Sequence, residues 1–388
     1  MNTTSSQLIP LSLYIHVPWC ERKCPYCDFN SHTADPVIPE KEYIQALLAD
    51  LQHDLEWVQN REISSIFIGG GTPSLFSPES YQQLFEGLQK DLTFSRDIEI
   101  TLEANPGSTE QQKFTEFHAT GINRLSIGIQ SFNDDMLSKL GRIHNSKEAI
   151  KAAEAAHYAG FTNFNLDLMF ALPGQNSRLA LKDLEYATSL EPSHLSWYQL
   201  TIEPNTLFHQ HPPVLPQDDI AADIQSQGQD YLHNKQYDQY EISAYAKSAP
   251  CRHNLNYWQF GDYLGLGAGA HSKLSNPVTD SIIRKQRRRH PKDYIQQAHS
   301  LDVISQIRKL SESDRVLEFM MNALRLNNGT DYQQFEQRTG LDIDIIQDKL
   351  QLARDKQLMT ECNNIQASTH GLLYLNNLLE IFMETSND

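Results

Sequence analysis

Three cysteines crowd into one short stretch, Pro18-Trp19-Cys20-Glu21-Arg22-Lys23-Cys24-Pro25-Tyr26-Cys27, with the spacing C-x3-C-x2-C. A loop of that length can wrap three irons of a 4Fe-4S cube and leave the fourth iron without a protein ligand, open to a chelating small molecule. Two blander chemistries compete. A structural zinc site needs four ligands, with His32 or Asp28 completing the set, and Cys24-Pro25-Tyr26-Cys27 is itself a C-x-x-C redox dithiol. A thiol-exchange domain has no use for Cys20, which favours the triad. Five cysteines is an odd count that suits a metal site in a reducing compartment better than a disulfide framework. Cys251 and Cys362 read as ordinary thiols.

The loop needs a strand to present it, and residues 13–17 supply one. From there to about residue 210 the chain alternates β-rich runs with amphipathic stretches, the pattern of βα units around a parallel sheet. Strands read at 13–17, 63–68, 98–103, 124–129, 163–169 and 194–200, short and apolar on both faces as buried parallel strands are. Helical patterns lie between them at 41–58, 78–91, 109–120, 146–159 and 178–189, several opening with Ser, Thr or Pro. Six units are fewer than the eight that close a barrel, so the fold class is α/β, an open partial (β/α)6 barrel spanning residues 1–210, with a doubly wound sheet the other option. Residues 211–305 extend that core and carry Pro-rich turns, a Gly-rich segment at 265–269 and a basic run at 284–290. Residues 306–388 read as a small winged-helix-like α+β domain: two helices, short apolar runs near Leu358 and at 372–375, and a last helix from Asn377.

Tyr14-Ile15-His16-Val17-Pro18 running into the cysteine motif, then Gly69-Gly70-Gly71-Thr72-Pro73, then Glu103-Ala104-Asn105-Pro106, resembles the radical S-adenosylmethionine (SAM) superfamily. More narrowly, nearly the whole chain resembles the oxygen-independent coproporphyrinogen III oxidase family. The resemblance implies a 4Fe-4S cluster on Cys20, Cys24 and Cys27, with SAM chelated at the open iron. An electron from the reduced cluster then enters the sulfonium and breaks a carbon-sulfur bond, so the cofactors carry the hard step. Gly70, Gly71 and Thr72 would present backbone groups to the methionine half of SAM, Glu103 would accept from ribose hydroxyls, and Tyr14 and Tyr26 would lie near SAM as well. In the oxidase branch a second SAM is contacted by residues whose matches are Gln130, Arg142 and Asp167. Read without the resemblance, the glycines also make a tight turn, Glu103 can be a solvated strand-end carboxylate, and the last three can be structural polar groups at a barrel mouth.

The oxidase carries a further cysteine two residues after the triad, where this chain has Phe29, and a longer N-terminal extension than the 13 residues before Tyr14. Both departures resemble the sister HemW group, which implies a haem chaperone passing haem to respiratory acceptors. His253-Asn254-Leu255-Asn256-Tyr257-Trp258 resembles that group's H-N-x-x-Y-W signature, and Gly265-Leu266-Gly267-Ala268-Gly269-Ala270-His271-Ser272 follows closely. A haem b site needs an apolar aromatic slot, an imidazole ligand and cations for the propionates. His253, Tyr257, Trp258 and the run from Arg284 to Arg289 are the candidates, against a satisfied histidine and a solvated basic strip. The implied partners are haem or a porphyrin, a respiratory haem-accepting protein and an electron donor such as a flavodoxin or ferredoxin, with peripheral membrane association. The alternative is the oxidase itself, which takes hydrogen atoms from two propionates and releases carbon dioxide. Phe29 argues against that activity.

Lys and Arg number 32 against 49 Asp and Glu, a net charge of −17 that excludes a general nucleic-acid binder. The C-terminal stretch has no strongly basic helix, so a DNA-reading winged helix is disfavoured. No run of 18 apolar residues exists, and the first residues lack the basic start and apolar stretch of a signal peptide, so the expected compartment is the cytoplasm.

Overall fold

The computed structural model describes residues 9–383; the sequence expectations for 1–8 and 384–388 lie outside the described residues. Six parallel strands form the heart of the sheet: β1 (Leu11–Val17), β2 (Ile63–Gly70), β3 (Phe94–Ala104), β4 (Arg124–Gln130), β5 (Phe164–Phe170) and β6 (His194–Gln199). They pair in chain order. Side chains alternate across each strand. Leu13, Ile15 and Val17 of β1 sink into the main core with Tyr43 and Leu47, while Ser12, Tyr14 and His16 point to the opposite, concave face.

Helices cover the outer face: α1 (Glu40–Gln52), α2 (Pro78–Leu88), α3 (Ser108–Ala119), α4 (Ser146–Tyr158) and α5 (Ser177–Ser189). Their starts have local causes. Ser77 accepts from the Ser80 N–H with Pro78 in the first turn, and Asn145 with Glu148 forms a capping box. The pattern at 41–58 is not one helix: α1 ends at Gln52 and a separate turn follows at Leu55–Trp57.

The region after residue 210 lengthens the sheet at both edges. A polar helix, α6 (Asp218–Asn234), leads into β7 (Asp238–Glu241) and β8 (Ala244–Ala246), and β8 runs antiparallel to β6. After α7 (Arg252–Trp258), β9 (Asp262–Leu266) adds a seventh parallel strand beside β1. β10 (His271–Asn276), β11 (Ser281–Arg287) and β12 (Ile304–Lys309) continue antiparallel from it. The twelve strands lie in the order β12-β11-β10-β9-β1-β2-β3-β4-β5-β6-β8-β7.

The basic run at 284–290 is not a solvated strip. Lys285 and Arg287 are buried and reach α1 and the turn after it: Arg287 Nε lies 2.7 Å from Asp50 Oδ1, Arg287 Nη2 lies 2.6 Å from Asp54 Oδ2, and Lys285 Nζ lies 2.6 Å from Asp54 Oδ1. Arg284 pairs with Glu318 at 2.6 Å. Only Arg288, Arg289 and His290 of the run are exposed.

The C-terminal region has its own apolar core around Phe319, Phe335 and Leu350, from α8 (Glu312–Ala323), α9 (Tyr332–Thr339) and α10 (Gln347–Asp355). Single bridges join Met359 to Ala367 and Thr330 to Ile365, the wing-like part. The apolar run at 372–375 is helical, falling in Thr369–Leu373 and Leu375–Glu380. No described helix is long and apolar enough to cross a membrane.

Candidate cluster and nucleotide site

The strand β1 delivers the cysteine loop, and a two-residue strand pair closes its neck: Trp19 and Cys20 run parallel to His32 and Thr33. The loop is pinned from several sides. The Asn30 amide donates to the carbonyls of Ala268 and Arg289, and Lys23 Nζ donates to those of Phe29 and Ser31. The glycine-rich turn after β2 fits under it because it lacks side chains. A Cβ on Gly71 would lie 2.4 Å from the Trp19 carbonyl oxygen, and Gly70 adopts φ +113° with the His16 ring where a Cβ would go.

Loop and strand ends enclose a cavity of about 360 Å³. Its wall includes all three thiols, Cys20, Cys24 and Cys27, together with Tyr26, Gly70, Gly71, Thr72, Glu103, Gln130, Arg142, Asp167 and Trp258. The parallel register explains the convergence, since Glu103 stands opposite Ser126 and Asp167 opposite Ser196 on successive strands. Polar residues at these inward positions interrupt otherwise apolar strands. Tyr14 and Tyr257 line a neighbouring cavity instead, of about 490 Å³, which shares Phe29, Gly70 and Glu103 with the first. His253 lines none of the described cavities. It is 1% exposed, packs against Phe67 and Tyr257, and its Nδ1 lies 3.1 Å from Ser65 Oγ.

The carboxyls and the guanidinium of the cavity make separate contacts. Glu103 Oε2 accepts from the Gly70 N–H at 3.0 Å, and burial, followed by the neighbouring Asp167, pushes its carboxyl up to about 8. Burial raises Asp167 too, against the hydrogen bonds it accepts from Asn165 and Ser126. Near the thiols stands Arg142, with Nη1 3.4 Å from Cys24 Sγ and Nη2 donating to Asn105 Oδ1 and the Gly128 carbonyl. It has no carboxylate partner among the described residues, and its Nε is buried without a hydrogen bond. A buried guanidinium facing a sulfur calls for an anion there, such as a thiolate-bound cluster or a ligand carboxylate.

The donor set fits a cluster better than a single ion. Among the described residues no three His, Cys, Asp or Glu side chains converge tightly enough to hold one metal ion, as a tetrahedral zinc would require. The three thiols nevertheless face one cavity, as ligands to three corners of a larger body must. Burial raises the Cys20 and Cys27 thiols above their ordinary values.

Sequence reading missed Asn105, which donates to Thr72 Oγ1 at 3.0 Å and orients Arg142, and Tyr198, whose hydroxyl donates to Gln130 Oε1 at 3.0 Å. Asn105 sits in the Glu103-Ala104-Asn105-Pro106 segment and was visible there. Tyr198 gave no local signal.

Residues 14–187 match the radical SAM superfamily and residues 310–374 match the HemN C-terminal domain. The chain is 50% identical to the heme chaperone HemW of Haemophilus influenzae, over 97% of this chain and 99% of that one. It is 48% identical, with the same coverage, to the heme chaperone HemW of Escherichia coli. The chain belongs to the HemW family. Its fold also resembles the solved coproporphyrinogen III oxidase HemN of Escherichia coli, with a TM-score of 0.81 at 24% identity, covering 97% of this chain and 90% of that one. At that identity the likeness is one of fold, so the HemW relatives set the family and HemN sets the architecture.

Proposed function

We propose that this HemW-family protein is a haem chaperone that carries a 4Fe-4S cluster on Cys20, Cys24 and Cys27, binds SAM beside it, and hands haem to acceptor proteins. The observation that carries the reading is Phe29. It stands where the oxidase resemblance calls for a further thiol, in a chain half identical to proteins named heme chaperones. Its ring is 59% exposed and borders both the thiol cavity and the aromatic cavity beside it. An apolar ring at that junction suits a flat macrocycle and does no thiol chemistry.

When bound, the cluster and SAM supply one-electron reductive chemistry. The chain's own residues bind and orient. Gly70, Gly71 and Thr72 expose backbone at the turn, Glu103 accepts from ribose hydroxyls, and Arg142 neutralises negative charge next to Cys24. Gln130 and Asp167 line the far wall, where they would meet a second nucleotide, and Tyr26 closes the cavity at the loop. Tyr14 lines the adjoining cavity together with Glu103, near where SAM would lie. His253 braces Tyr257, so that Tyr257 and Trp258 stand as aromatic walls. In this reading the protein works in the cytoplasm and meets its respiratory acceptors peripherally. A flavodoxin or ferredoxin would supply the electron.

The test pairs two assays on anaerobically reconstituted protein. Haem titration will show saturable uptake, and incubation with SAM, reductant and coproporphyrinogen III will yield no protoporphyrinogen. Protoporphyrinogen formation would overturn the reading in favour of the oxidase.

A further inference from the structure

The haem-chaperone reading leaves open which side chain holds the iron, and the H-N-x-x-Y-W histidine is badly placed for it. His253 is enclosed, its Nδ1 is engaged by Ser65, and Glu99 fastens the start of its helix by accepting from the N–H groups of Arg252 and His253. Its Nε2 has no partner but is buried away from every described cavity. Iron could reach it only by opening the packing of α7 on β2.

A second imidazole is open. His271 begins β10 and lines two adjoining cavities, of about 490 and 620 Å³, which share it with Tyr263 and Gln286. Both fall in the range of cofactor pockets. Its ring makes no hydrogen bond among the described residues. The other imidazole of these cavities, His16, is committed on both nitrogens, to the Tyr14 hydroxyl at 2.9 Å and the Asn30 carbonyl at 2.8 Å. Around His271 stand Tyr257 and Tyr263, with ring centroids 4.4 Å apart, and Phe29 across the cleft. Arg289 lines the same cavity, is exposed, and has no carboxylate partner among the described residues, whereas Arg284 is held by Glu318 and Tyr263. The local backbone fixes this imidazole relative to the cysteine loop. Gly269 adopts φ +80°, and a Cβ there would lie 2.5 Å from Asn30 Nδ2, the same amide that pins the loop.

Resting on the haem-chaperone reading, we infer that haem seats in the cleft bounded by Phe29, Tyr257 and Tyr263, with His271 as the iron ligand and Arg289 meeting a propionate. An imidazole with a free nitrogen, aromatic walls and an uncommitted guanidinium are the three elements that haem recognition needs, and here they meet in one place. The cleft shares Phe29, Gly70 and Glu103 with the thiol cavity, so haem would lie next to the cluster and nucleotide.

The test is a haem titration of the full chain followed by absorption spectroscopy. His271→Ala, an exposed substitution, will lose the imidazole-ligated spectrum and weaken affinity by about tenfold or more; added free imidazole will restore the spectrum. Arg289→Glu will weaken affinity and leave the spectrum intact. His253→Ala, if circular dichroism shows it folded, will keep the imidazole-ligated spectrum. Parental spectrum and affinity in His271→Ala would overturn the assignment while leaving the chaperone reading standing. A parent that takes up no haem would overturn both.

Discussion

Binding of SAM to the cluster-loaded protein at pH 7 will release close to one proton, and Glu103→Gln will abolish that release. The magnitude follows from the cavity. Burial, with Asp167 second, holds the Glu103 carboxyl at about 8, so at pH 7 about nine molecules in ten carry the proton. Ribose hydroxyls donating to this carboxylate, and the positive sulfonium in the same cavity, both favour the charged form. Full ionisation on binding would therefore release up to about 0.9 proton per site. Titration calorimetry in two buffers of different ionisation enthalpy counts that proton directly. The release will fade above about pH 9, where the free carboxylate is already ionised. Equal enthalpies in both buffers at pH 7 would refute the reasoning, because Glu103 would then be ionised beforehand or out of reach of SAM. The same group gives the apo protein a defined pH dependence. Its folded value is raised above the ordinary 4.5, so the native state binds the extra proton between 4.5 and about 8, and stability falls through that window as pH rises, by up to about 1.4 kcal/mol per unit. Glu103→Gln will flatten that slope.

Arg142→Met removes the N–H that lies 3.4 Å from Cys24 Sγ. A hydrogen bond of this charge-assisted kind is worth about 1.5–3 kcal/mol, so the midpoint potential of the reconstituted cluster will fall by on the order of 60 mV or more; an unchanged midpoint in an EPR-monitored titration counts against the contact. Arg287→Met leaves Asp50 buried without its cation and will cost about 3–5 kcal/mol in urea unfolding, whereas a loss below about 1 kcal/mol contradicts the buried network. Gly71→Ala drives a Cβ against the Trp19 carbonyl, which is backbone and cannot swing aside; it will destabilise by about 1–3 kcal/mol and lower iron loading, and full loading would show that the turn does not set Cys20.

The six parallel strands were legible because each is buried on both faces and so reads as a short apolar run bounded by helix signals. The thiol loop was legible from its cysteine spacing, and most of the cavity wall, Gln130, Arg142 and Asp167 included, only through the family resemblance; the parallel register puts Glu103 and Asp167 on one face. The edge strands were hidden by their charges. Lys273, Lys285 and Arg287 look like solvent residues until Asp262, Asp50 and Asp54 arrive from parts of the chain 11 to more than 200 residues away. The long polar helix α6 buries only a thin stripe, Ala221, Ile224, Gly228 and Leu232, among charged and amide residues, and Gly228 gives way to the Trp197 ring where a side chain would clash. Of the two histidine-bearing segments that the sequence singles out, the H-N-x-x-Y-W one packs its His253 against Phe67 and Tyr257, whereas the Gly-rich one leaves His271 exposed, a difference that local sequence does not encode.

Acid-labile sulfide and iron, assayed on protein prepared without air, test the central claim most directly. The account predicts about four of each per chain in the parent, and loss of this stoichiometry in Cys24→Ser. Protein that binds zinc, or iron without inorganic sulfide, on the same three thiols would contradict it.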